Sequence, residues 1–187
     1  VRGEQYRLTE SFPVNFNEVN FSRSDVYQIR AIKRLDEIIF VVNASKGTEY
    51  LNALGTPVSK LSKSEVFEIV SSYSTLEPID LEEITESSKG SEFRGRNLPL
   101  YKVTSLNDKD KKINLYLNVF SGEITAVRSL QWRIWDLMWG FHIMDWQTRD
   151  KINNIFLQIF SILALVSSIS GIMLFFRVDS VSYTHLT

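Results

Sequence analysis

The sequence predicts an α+β polar body of one or two small helix-plus-antiparallel-sheet units, followed by an aromatic interfacial helix and a C-terminal transmembrane helix. Three observations carry that expectation: apolar runs that end at glycine turns, one complete helix-capping signature, and an uncharged stretch long enough to cross a bilayer. The 187 residues hold 21 basic and 22 acidic side chains, which suits one modest domain or two very small ones plus an anchor. A large multidomain enzyme is excluded. The chain has no cysteine, so disulfides, cysteine-ligated zinc, iron–sulfur clusters and thiol catalysis are excluded as well.

Within residues 20–60, Tyr27, Ile29 and Ala31 alternate with Gln28 and Arg30, and beyond Asp36 runs the continuous apolar stretch Ile38-Ile39-Phe40-Val41-Val42. These are two consecutive strands, the second more buried. A short third strand follows Gly47 and ends at Gly55 and Pro57. Within residues 61–128 a helix starts at Ser62, where Glu65 completes a capping box and Leu61 and Val66 close a hydrophobic staple. Its apolar face is Val66, Ile69, Val70 and Tyr73. The carboxylates Glu77, Asp80, Glu82, Glu83 and Glu86 read as a solvated face, with a metal or catalytic role as the alternative. Ser87-Ser88-Lys89-Gly90-Ser91 reads as an exposed loop. The extended signal returns with Leu100, Tyr101 and Val103, and then with Ile113, Leu115, Leu117 and Val119 up to the Ser121-Gly122 turn. Tyr50-Leu51-Asn52 before Gly55 recurs as Tyr116-Leu117-Asn118 before Gly122, which favours two copies of one small unit over a single irregular domain.

Residues 129–152 are dominated by aromatic side chains. Trp132, Trp135, Trp139, His142 and Trp146 recur at spacings of three and four, forming one stripe on a helix, and all four tryptophans of the chain lie there. Indole favours the membrane–water boundary because it buries an apolar ring and keeps an N–H near water. The stripe therefore predicts an interfacial helix, on which Asp145 and Arg149 are spaced to pair. Residues 153–177 form the span: no charged side chain occurs from Ile155 to Phe176. At about 1.5 Å per residue, that run matches a hydrocarbon core roughly 30 Å thick. Arg149, Asp150 and Lys151 precede it and Arg177 follows; a buried core helix is the alternative reading. Ala164, Ser167, Ser168 and Gly171 put small residues on one face, which suits a packed second helix or a lone anchor facing lipid. Residues 178–187, ending Val181-Ser182-Tyr183-Thr184-His185-Leu186-Thr187, read as a non-native tail, which sets His185 aside.

The run Leu115-Tyr116-Leu117-Asn118-Val119-Phe120-Ser121-Gly122-Glu123-Ile124, leading to Phe141-His142-Ile143-Met144-Asp145 and a span containing Ser170-Gly171, resembles the PepSY-domain membrane proteins of bacteria. In that family a PepSY unit ending in a hydrophobic strand and a Gly-Glu turn precedes a transmembrane helix introduced by a short aromatic motif with histidine. Val1-Arg2-Gly3-Glu4 is similar to the segment that follows the family's first transmembrane helix, so residues 1–19 are expected to trail an upstream span. The resemblance covers most of the chain, strongly from Lys112 onward and weakly in the first copy. It implies PepSY-like units at 20–60 and 61–128 on the periplasmic side of a bacterial inner membrane.

The function implied is a non-enzymatic binding or regulatory module that docks on or inhibits a periplasmic peptidase. The body's lack of histidine, of cysteine and of a recognisable nucleophile-and-base pair agrees with that reading. The alternative implied is redox: some members resemble haem-bearing reductases of ferric-siderophore systems, with His142 as an axial ligand of haem b. Otherwise His142 is an interfacial side chain near the head groups. Expected partners are the lipid bilayer and either the upstream helix or another membrane subunit. Nucleic-acid binding is not expected, because the basic residues are scattered and the net charge is −1.

Overall fold

The structure is a computed structural model describing residues 25–182, so the expectations for residues 1–24 and for His185 lie outside the described residues. Two compact units divide the chain, one through Leu130 and one from Gln131 onward. The architecture is α+β, as the sequence predicts at that level.

The first unit opens with a three-stranded antiparallel meander: β1 (Val26–Arg34), β2 (Glu37–Ala44) and β3 (Gly47–Asn52), in the order β1-β2-β3. Leu35 and Asp36 make the first two-residue turn, with Leu35 at a φ of 52°. The central strand is the continuous apolar run, and Ile39, Phe40, Val41 and Val42 are all buried. A strand covered on both faces gains nothing from alternation, which is why its sequence shows none.

A helix, α1 (Lys63–Tyr73), and four strands follow: β4 (Glu77–Ile84), β5 (Leu100–Leu106), β6 (Lys112–Asn118) and β7 (Ile124–Arg128), in the order β4-β5-β6-β7. The capping box at Ser62 is complete. The Glu65 amide donates to Ser62 Oγ at 3.4 Å, and the Ser62 amide donates to Glu65 Oε2 at 2.7 Å. Val66, Ile69 and Val70 of α1 enter a core with Leu61, Val103, Leu115, Leu117 and Val119. The opposite side of the sheet is covered at one end by the loop before β5, where Phe93 and Leu98 pack on Leu100, Tyr116 and Ala126.

Two strands were hidden from the sequence. β4 coincides with the acidic run: Glu77, Asp80, Glu82 and Glu83 belong to it, with Glu82 paired to Lys102 at 2.8 Å and Glu83 to Lys60 at 2.6 Å. Among the described residues no group of three or more histidine, aspartate or glutamate side chains is placed to hold a metal ion. β7 was masked because the glycine turn before it looks like the end of the sheet.

The repeated Leu-Asn has a cause in turn chemistry. Asn52 Oδ1 accepts from the amides of Leu54 and Thr56, and Asn118 Oδ1 from those of Phe120 and Ser121, while Gly55 and Gly122 take positive φ. Asn107 after Leu106 does the same with Lys109 and Lys111, so the pattern marks hairpins at three places. Within residues 25–60 the described chain holds strands and no helix, so the two copies are not alike.

The two sheets are tied by polar contacts. Asn118 Nδ2 donates to the Tyr50 hydroxyl at 2.7 Å, and the Tyr50 ring stacks on Phe120 with centroids 5.1 Å apart. Buried Arg34 donates to the Ser59 carbonyl at 3.0 Å and lies 3.4 Å from Glu37 and 3.6 Å from Glu65. Leu117→Ala is expected to cost about 2–5 kcal/mol, and Ser62→Ala about 1 kcal/mol. Thermal melts followed by circular dichroism in mild detergent measure both, and the order of the two losses checks the placement of the core.

Candidate membrane-facing site

The second unit contains the rest of α2 (Leu130–His142) and α3 (Ile155–Ser182). α2 is inverted relative to a helix of a water-soluble protein. Leu130, Ile134, Leu137, Met138 and Phe141 fall on one side and all are exposed, with Met138 61% accessible. Trp135, 58% accessible, flanks that side. The residues of α2 that are buried are Asp136 and Gly140. A carboxylate and a glycine thus take the protected side while the large apolar side chains face outward.

Protection on that side comes from the turn after the helix. α2 ends in a Schellman arrangement: the Asp145 amide donates to the Gly140 carbonyl at 3.0 Å and the Met144 amide to the Phe141 carbonyl at 3.2 Å. Met144 holds the left-handed position usually given to glycine, with φ 54°. The chain then folds back over Gly140, where an added Cβ would stand 3.2 Å from both Arg149 Cγ and the Asp145 carbonyl oxygen. A side chain at 140 would make those neighbours give way by a few tenths of an ångström.

Sequence spacing predicts a surface pair between Asp145 and Arg149, and the structure corrects this. Arg149 Nη1 donates to the buried carboxylate of Asp136 at 2.6 Å. Asp145 instead organises the turn. Its carboxylate accepts from the Thr148 hydroxyl and from the amides of Thr148, Asp150 and Lys151 at 3.0, 3.3 and 3.1 Å. The Thr148 bonds, hydroxyl first, hold the Asp145 carboxyl well below the usual carboxylate range.

The tryptophan stripe is correspondingly interrupted. Trp132, Trp135, Trp139 and His142 lie on α2, with Trp135 and Trp139 stacked at 5.9 Å and the Trp139 and His142 rings 5.8 Å apart. Trp146 lies past the Schellman turn, where its ring meets Phe141 at 6.3 Å and Phe156 of α3 at 6.0 Å. It joins the two helices of this unit rather than continuing the stripe.

Asn154 starts α3. Its side-chain oxygen accepts from the Leu157 amide at 2.9 Å, and its Nδ2 donates to the Ile143 carbonyl at 2.7 Å. From Ile155 to Arg177 the helix has 23 residues and is long and apolar enough to cross a membrane, its most apolar 18-residue window having a mean hydropathy of 2.3 and no residue buried in the protein. The hydroxyls of Ser161, Ser168 and Ser170 donate to carbonyls one turn back, so they present no unsatisfied donor outward. Ala164, Ser167, Ser168 and Gly171 are exposed, and a Cβ on Gly171 would meet nothing within 4 Å. The helix continues to Ser182, through the first residues read as a tail.

As a haem site the segment supplies a single axial nitrogen from the described residues, His142, exposed at the end of α2. The chain matches no family model, no curated protein and no solved structure.

Asp136 and Arg149 were beyond the reach of sequence reasoning, since they are thirteen positions apart across a reversal that no glycine announces. An aspartate at a spacing that breaks an otherwise apolar helix was the available signal. Arg149→Met leaves a carboxylate enclosed without its guanidinium and is expected to destabilise the second unit by about 3 kcal/mol. Adding Asp136→Leu is expected to restore most of that, read by protection of the α2 amides in hydrogen exchange.

Proposed function

We propose that this chain is a membrane-held, PepSY-like binding module that works by contact rather than by chemistry, with α3 spanning the bilayer and α2 lying in its interface. The observation that carries the reading is the inversion of α2. A helix of 13 residues is about 20 Å long, too short to span, yet its outward side is apolar and its inward side polar. Such a helix is stable where its outward side meets acyl chains. The resemblance to the PepSY membrane family extends this to a periplasmic body on a bacterial inner membrane with a peptidase as its partner.

A second reading is favoured by one feature, the exposed His142 ring against Trp139. There the segment contributes an axial nitrogen to a haem b, which supplies one-electron chemistry when bound.

All four tryptophans lie between positions 132 and 146, so fluorescence excited beyond the tyrosine absorption band reports on this segment alone. In vesicles, lipids brominated near the head group or shallow in the acyl chain are expected to quench it strongly and those brominated near the bilayer centre weakly. Emission unaffected by any of them would overturn the interfacial placement. The intact protein purified from membranes is expected to show no Soret band and to bring a peptidase with it in mild detergent. A Soret band lost in His142→Ala would instead establish the second reading.

A further inference from the structure

We draw no further inference here: the strongest candidate, the open groove at the start of α3 where Gln158 donates to Asn153 at 2.7 Å beside the small-residue face of Ser161, Ala164, Ser168 and Gly171, carries nothing, because nothing in the structure shows what covers it.

Discussion

The second unit depends on a buried carboxylate behind an apolar helix and the guanidinium that meets it. Asp136 is almost completely buried on α2, and Arg149 reaches it from the turn that follows. Taking the Asp136 charge out of water is expensive, and the attraction of the partly exposed Arg149 offsets that only when their geometry is good. This contact occupies the one side of α2 that the protein covers, which obliges the large apolar side chains to take the other. Water is a poor surrounding for that arrangement. On α3 alone, side chains such as Phe156, Phe160, Leu165, Ile169 and Phe176 are half or more exposed. Covering each is worth about 1 kcal/mol or more, so the sum over the helix rivals the whole folding stability of a small domain. An acyl environment resolves both problems at once.

Much of this was legible in the sequence because the signals were local. The long apolar helix α3 declares itself by length and absence of charge, the capping box at Ser62 by spacing, and the buried strand β2 by its unbroken apolar run. What escaped was of two kinds. β4 was concealed because its outward side chains are acidic, and an edge strand facing water need not show a strong apolar rhythm. The end of α2 was concealed because Met144 holds a left-handed conformation that usually calls for glycine, so the three-and-four spacing of the tryptophans ran on through a reversal. Of the stripe expected on one helix, Trp132, Trp135, Trp139 and His142 are on α2, and Trp146 serves as the joint to α3.

The first unit illustrates how a repeated phrase can have a cause other than duplication. Leu-Asn before a tight turn occurs three times, and each time the asparagine carbonyl oxygen collects two backbone amides. Asparagine is favoured there because its side chain imitates a backbone turn. The contact between Tyr50 and Asn118 nevertheless links two of these turns, so the same local chemistry that ends the strands also joins the sheets. Arg34 adds a second link by serving Glu37 in its own sheet and Glu65 in the capping box of α1.

Attachment through α3 alone would need only an apolar helix and a flexible linker. The chain instead spends its polar side chains on the connection. Asp145 gathers the amides of Thr148, Asp150 and Lys151, Asn154 caps α3 while bonding back to Ile143, and Trp146 packs against both helices. A helix cap contributes on the order of 1 kcal/mol, and together these contacts hold α2 and α3 at one angle. A fixed angle has no value to a mere tether. It has value where the exposed apolar side of α2 must hold one direction relative to the apolar length of α3. Orientation settled in advance is entropy that any contact made by those apolar faces does not have to lose.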